Sequence, residues 1–460
     1  MRAKRFVIIG GGPAGNQCAT HAARLGAEVT LVERDVTGGA AHLWDCIPSK
    51  AMIATGGALT AVNRSEAMGL TAVRAELDVD ALKARIAAIE TRLQASVEDL
   101  LESQGVRMVH GTGRLLNPTQ VAVTPVGGAG TVDQPEIVLD ADVVVLCTGS
   151  RPRIPEWAPV DGHRVLTTRD AYPPPELPGH LVVIGSGVTG VEFVHMFSSF
   201  GCDVSLIVSR QQVLPNKDPE VAAALEQDFL ARGVRLYMGA RAESIITEGD
   251  AVTVATDDGR RVTGTHALLA IGSIPNSEGL GLDAAGVAHE GGYVIVNHNC
   301  LSSVPGIYAA GDLSGKLPLS SVAAMQGRKI AEHAMGLHVG PHRHLDYDKA
   351  ASAIFTVPEI ADVGLAEADA FAEGRKIRVT KVPFSANAKA LIDNDPRGFV
   401  KIISDPATGV VLGGSIVGRN AAELISVIAL AVTAGLRVND IVESLLVHPA
   451  LAEALADAAE

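Results

Sequence analysis

The 460-residue sequence lacks several things, and each absence excludes something. No apolar run approaches the length of a membrane span; the longest candidate, Ile425 to Leu436, has the length of a core helix. Positive charge is not in excess. The 38 Lys and Arg against 52 Asp and Glu leave a net charge of −14, which argues against a nucleic-acid partner. Cysteines are few: Cys18, Cys46, Cys147, Cys202 and Cys300 follow neither disulfide-scaffold nor zinc-ligand spacing, and no metal is expected. The basic start is followed by a short apolar stretch, Phe6 to Ile9, that breaks into glycines without a cleavage site, so no secretory signal is expected. What is present is 47% hydrophobic and 20% charged, enough for several cores. A disordered tail, a collagen-like fibre and a small disulfide scaffold are thereby excluded. At about 150 residues per domain, the length suggests roughly three domains. The expectation is an acidic, soluble, cytoplasmic protein without a transmembrane segment.

One pattern occurs twice. Phe6 to Ile9 reads as a buried strand and runs into Gly10-Gly11-Gly12-Pro13-Ala14-Gly15. A helical stripe at Ala14, Cys18, Ala22 and Leu25 follows, then a second strand, Val29 to Val32, that ends at Glu33. Leu181 to Ile184 likewise runs into Gly185-Ser186-Gly187-Val188-Thr189-Gly190, then a helix and the strand Val204 to Val208. Each GxGxxG lies between a strand and a helix, the context in which glycines allow a tight turn and let backbone approach a pyrophosphate. The pair predicts two bound dinucleotides.

Between these units, Val79, Leu82, Ile86, Ile89, Leu93, Val97 and Leu100 form an apolar stripe, predicting a long helix over Asp78 to Leu101 that packs on the first domain. Tyr172 to Gly179, with four prolines, reads as a stiff connector. After residue 345 alternating runs at Gly398 to Ile403 and Gly409 to Ile416 suggest antiparallel strands, followed by a helix over Ala421 to Leu436. The fold class expected is therefore α/β, with two Rossmann-like dinucleotide-binding domains and a C-terminal α+β domain.

The segment Gly38-Gly39-Ala40-Ala41-His42-Leu43-Trp44-Asp45-Cys46-Ile47-Pro48-Ser49-Lys50 resembles the redox-active segment of the pyridine nucleotide–disulfide oxidoreductases. Thr148-Gly149-Ser150-Arg151-Pro152 is similar to that family's flavin turn, and Gly306 to Asp312 to its second flavin motif. Phe355 to Ile360 and His448 to Glu453 resemble its interface motifs. The resemblance implies an FAD-binding domain in two parts, 1–151 and 277–345, an NAD(P)-binding domain over 152–276 and a dimerisation domain over 346–460. It implies FAD on Gly10, Gly12, Pro13, Ala14 and Gly15, with Glu33 on the adenosine ribose and Arg34 and Gly39 nearby. Thr148, Gly149, Ser150, Gly311 and Asp312 complete that set, Asp312 accepting from the ribityl chain. Gly185, Gly187, Val188, Gly190 and Gly272 are implied for the nicotinamide nucleotide. Lys50 and Glu192 are implied as an ion pair beside the flavin N5, where positive charge stabilises the reduced ring. His448 and Glu453 are implied as an acid–base pair acting across a homodimer interface.

The chain departs from the pattern at one place. The family's redox segment carries two cysteines, and Ala41 stands at the first of those positions. Reduction of lipoamide or glutathione disulfide by the usual route needs both thiols. Cys46 remains, with Lys50 and a helix N-terminus to favour its thiolate, or as an inert packed thiol. Electrons entering FAD from NADPH or NADH must then leave directly to a small oxidant, and a planar quinone suits the flavin face. The small Ala40 and Ala41 beside His42 and Trp44 leave room there. The function expected is an FAD-dependent NAD(P)H:quinone oxidoreductase. The alternatives are a single-cysteine reductase of a small disulfide or peroxide, using Cys46, and a flavin-loaded redox sensor. In the second glycine unit Val208 occupies the place where an NADH-selective site has a carboxylate; Ser209 and Arg210 follow, and Arg210 is expected to bind a 2′-phosphate.

Overall fold

The computed structural model describes residues 2–126, 135–337 and 345–460. The chain divides into two compact units. One comprises Met1–Ser49, Lys83–Arg153 and Ser273–Tyr347, and the other Lys50–Leu82, Ile154–Gly272 and Asp348–Glu460.

The first unit is built on a seven-stranded sheet in the order Ile307–Ala309, Val143–Leu146, Arg5–Ile9, Glu28–Glu33, Arg107–Asn117, Gln120–Pro125, Ile137–Asp140. The first five strands run parallel, and the last two are each antiparallel to the strand before them. Phe6, Val7, Ile8 and Ile9 are all buried, as a parallel strand covered on both faces requires. The helix Pro13–Arg24 packs on this sheet and against the helix Ser320–Ala334. The two approach so closely that a Cβ on Gly327 would run into the Ala14 carbonyl oxygen. The long helix expected from its stripe is present as Val79–Ser103. One residue of the stripe differs: Leu101, with Val97 beside it, joins the core, whereas Leu100 is 43% exposed. A strict three-four count drifts against 3.6 residues per turn, and by the helix's end the inward face has moved one residue on.

The second unit holds a parallel sheet in the order Arg235–Met238, Asp203–Val208, His180–Ile184, His266–Leu269, Val165–Thr167. A three-stranded antiparallel sheet, Ala242–Glu248, Ala251–Thr256 and Arg261–Gly264, accompanies it. The C-terminal part is an antiparallel sheet in the order Ser352–Ile354, Glu359–Gly364, Val411–Gly418, Phe399–Ser404, Arg378–Pro383, covered by the helix Ala421–Ala434. The sequence-based reading of strands followed by a helix after residue 345 matches this part. Lys401 is a buried residue in that sheet. Its ammonium reaches the carboxylates of Glu367, Glu220 and Asp218, which together overcome the effect of burial and raise its pKa.

Candidate active site

The two glycine loops are built alike. Gly10 has φ 108° and Gly185 φ 109°, values that L side chains rarely adopt. Cβ atoms there would strike the carbonyl oxygens of Cys147 and Ala270, and on Gly15 and Gly190 those of Gly10 and Gly185. The middle glycines are different. Gly12 and Gly187 stand at the helix N-caps with nothing within 4 Å of a Cβ position. Pro13 and Val188 open the helices, which have neither a side-chain cap nor an acidic residue in the first turn. Free N–H groups, open space and the positive helix end fit a pyrophosphate in both loops.

Glu33 ends its strand with Oε2 accepting from the Gly11 N–H at 2.6 Å and Oε1 from the Asp35 N–H at 2.7 Å. Its carboxylate is thus aimed before any ribose arrives. Arg34, exposed, pairs with Asp35. Gly39, with φ 64°, lies against Gly12, which seats the start of the redox segment on the first glycine loop. At the corresponding end of the second loop's strand Val208 is fully buried, and Ser209 and Arg210 are exposed. Gly272, with φ 92°, faces open space beyond the neighbouring strand.

Ser150 and Asp312, distant in sequence, meet: the Ser150 hydroxyl donates to Asp312 Oδ2 at 2.6 Å. Thr148 and Asn276 clasp each other across Gly149, Thr148 Oγ1 donating to the Asn276 carbonyl at 2.7 Å and Asn276 Nδ2 to the Thr148 carbonyl at 2.9 Å. The turn that carries Gly311 and Asp312 is fixed by a residue the sequence reading missed. Gln326, 1% exposed, accepts from the Gly311 N–H at 2.7 Å and donates to the Tyr347 hydroxyl at 2.9 Å. A signal for it exists in the sequence: Gln326 falls within the buried stripe Val322, Ala323, Gly327, Ile330, where a polar residue needs a partner.

The redox segment folds into a short helix, Ala40–Leu43, and a longer one, Cys46–Asn63. Cys46 opens the longer helix, and its Sγ lies 3.8 Å from the Ser320 hydroxyl. His42 packs its ring on Gly38; its Nδ1 is buried without a hydrogen-bond partner, and burial lowers its pKa, leaving it neutral near pH 7. All five cysteines are free, and Cys18, Cys147 and Cys300 are buried in the core of the first unit.

In the second unit Lys50 and Glu192 come together. Lys50 Nζ donates to both carboxylate oxygens of Glu192, at 3.1 and 2.9 Å. Glu192 is 4% exposed and also accepts from the Phe355 N–H at 3.0 Å. A buried carboxylate with an ammonium and an amide is a satisfied ion pair. His448 and Glu453 also meet: His448 Nδ1 lies 2.7 Å from Glu453 Oε1, while the Ala450 N–H donates to Oε2 at 2.8 Å. The Ala450 amide, and then His448, lower the Glu453 pKa, so the carboxylate is ionised and holds the imidazole in one orientation. His448 itself is 74% exposed.

Two like glycine loops fit for a pyrophosphate, a lysine paired with a buried glutamate and an oriented imidazole suit a nucleotide-dependent oxidoreductase. Residues 4–327 match the family described as pyridine nucleotide-disulphide oxidoreductase, and residues 350–459 its dimerisation domain. The chain belongs to this family: it is a flavoprotein NAD(P)H oxidoreductase, with FAD and a pyridine nucleotide as its cofactors. It is 41% identical over 99% of its length to a Mycobacterium tuberculosis protein named NAD(P)H dehydrogenase (quinone), of which it covers 93%. It is 33% identical to the dihydrolipoyl dehydrogenase of Zymomonas mobilis, covering 98% of this chain and 96% of that one. Among solved structures, LpdA from Mycobacterium tuberculosis superposes with a TM-score of 0.93 at 39% identity, over 99% of both chains. Among the described residues no helix is long and apolar enough to cross a membrane, and no His, Cys, Asp and Glu group fit to hold a metal ion occurs.

Proposed function

We propose that this protein passes electrons from NADPH or NADH through FAD directly to a quinone, and that it does not reduce lipoamide or glutathione disulfide. The observation that carries the reading is the isolation of Cys46. Ala41 stands at the first cysteine position of the redox segment, and three of the other four cysteines are buried in the core. A substrate disulfide needs one thiol to attack it and a second to resolve the mixed disulfide. The name of the Mycobacterium tuberculosis relative supports the choice of a quinone.

When bound, FAD supplies the two-electron relay between nucleotide and acceptor. The first glycine loop, Glu33, and the Ser150–Asp312 pair would hold it; the second loop would hold the nicotinamide nucleotide, with Arg210 on a 2′-phosphate. We assign 1–151 and 277–345 to FAD, 152–276 to the nucleotide and 346–460 to the dimer interface. Lys50, held by Glu192, would set a positive charge beside the flavin and so favour its taking up electrons. His448, oriented by Glu453, delivers a proton to the reduced acceptor in the partner subunit of a homodimer. Cys46 lies on no covalent path. A cytoplasmic place, where NAD(P)H is supplied, follows from this reading.

The test is an anaerobic acceptor panel of lipoamide, glutathione disulfide, peroxide, benzoquinones and naphthoquinones, run on the parent and on Cys46→Ser. Quinones should turn over in both, Cys46→Ser losing less than about tenfold in kcat, and lipoamide in neither. Complete loss of quinone turnover in Cys46→Ser with FAD content unchanged would move the reaction to the thiol, where removing a nucleophile costs many orders of magnitude.

A further inference from the structure

Phe355 touches the Lys50–Glu192 pair twice, yet it belongs to neither helix that carries the pair. It lies in the bend between the strands Ser352–Ile354 and Glu359–Gly364. Its N–H donates to Glu192 Oε1 at 3.0 Å, and Lys50 Nζ lies 4.8 Å from its ring centroid. We propose that Phe355 is a positioning residue for the oxidoreductase reaction: it confines the Lys50 ammonium and so fixes the direction from which that charge acts on the flavin. The inference rests on the reading that Lys50 serves the flavin.

An ammonium has three N–H bonds on a flexible stem. Two bonds go to Glu192, and the electron-rich ring face occupies a further side, from which it excludes water. Such a constraint matters because the partners are unequally anchored: the Lys50 side chain is 33% exposed and that of Glu192 5%. An ion pair with one exposed member is weakly held by Coulomb attraction alone. The Phe355 amide also stops the carboxylate from turning, so both halves of the pair take their orientation from one residue.

A packing role alone does not account for this placement. Ile354 and Thr356, on either side, are each 1% exposed and fill the core, and Thr356 Oγ1 donates to the Pro358 carbonyl at 2.7 Å. Alternation along the chain then turns the half-buried Phe355 ring away from that core, toward Lys50. The backbone bend is fixed by its neighbours, and the ring is what it presents.

Phe355→Leu keeps the amide and most of the apolar volume but removes the ring face; Phe355→Tyr keeps the face. The midpoint potential of bound FAD, and kcat and KM for NADPH, are measured for both holoenzymes beside Lys50→Met. The expected result is a lower midpoint potential and a kcat reduced about three- to tenfold in Phe355→Leu, with KM unchanged, and both restored in Phe355→Tyr. If the leucine variant folds poorly, Phe355→Met serves in its place. A leucine variant with the parent's potential and kcat, or a loss that tyrosine does not restore, would overturn the positioning role while a lowered potential in Lys50→Met leaves the reading of Lys50 standing. An unchanged potential in Lys50→Met would remove that reading, and this inference with it.

Discussion

Val208 ends the strand of the second cradle at the register where Glu33 ends that of the first: Arg5 pairs with Glu28 and His180 with Asp203, and each strand ends five residues later. A carboxylate there accepts from ribose hydroxyls and repels a 2′-phosphate; a buried valine does neither. Beyond Val208 the exposed Arg210 supplies a planar guanidinium suited to a phosphate. NADPH should therefore serve at least as well as NADH. Arg210→Ala should lower the NADPH/NADH ratio of kcat/KM about tenfold or more, given about 1.5–3 kcal/mol for a hydrogen bond to a charged group. An unchanged ratio would assign the 2′-phosphate to another residue.

Along single elements, sequence periodicity was informative and contacts between elements were not. The long helix is legible because burial of one face imposes a period of 3.6 on local sequence, and the two strand–loop–helix units because a strand buried on both faces is a continuous apolar run into a glycine loop. What Gln326 and Phe355 do escapes such a reading, because the partners of each lie on other elements and only folding sets the pairing. The helix Val188–Ser199 shows a further case. One turn after Glu192 it buries His195, whose Nδ1 lies 2.9 Å from Arg232 Nη1. Guanidinium can only donate, so Nδ1 accepts and the proton sits on Nε2, which is buried without a partner. Burial, and then the charge of Arg232, push the His195 pKa down to about 3. Below pH 6.5 the unfolded chain takes up a proton that the folded chain refuses, so this group removes stability as pH falls through that window. At pH 5 the loss amounts to about 2 kcal/mol relative to pH 7.5, at about 1.4 kcal/mol per unit. His195→Asn keeps an acceptor for Arg232 but cannot titrate. Urea midpoints measured from pH 7.5 to 5 should therefore fall less steeply in this variant than in the parent, and parallel curves would refute the assignment.

For the whole molecule, exposed apolar residues in the C-terminal part call for a second copy of the chain. Leu445 is fully exposed, Val447 74% and Leu430 64%, and all three lie in the segment that matches the family's dimerisation domain. Exposed side chains of this size, two of them within three residues of a histidine expected to act on a partner, are what an obligate interface leaves uncovered in one subunit. The protein should be a dimer by light scattering at micromolar concentration, and dilution to monomer should abolish turnover; a fully active monomer would refute it. The first unit's sheet carries a different implication, for how the molecule is made. Its central strand Arg5–Ile9 pairs with Val143–Leu146, which pairs in turn with Ile307–Ala309, so three separated stretches must meet before the sheet is complete. The second glycine loop and its parallel sheet are synthesised in between. During translation, then, the cradle that emerges first is completed only once Ile307–Ala309 has been made, by which point every strand of the second glycine loop's sheet has already been synthesised.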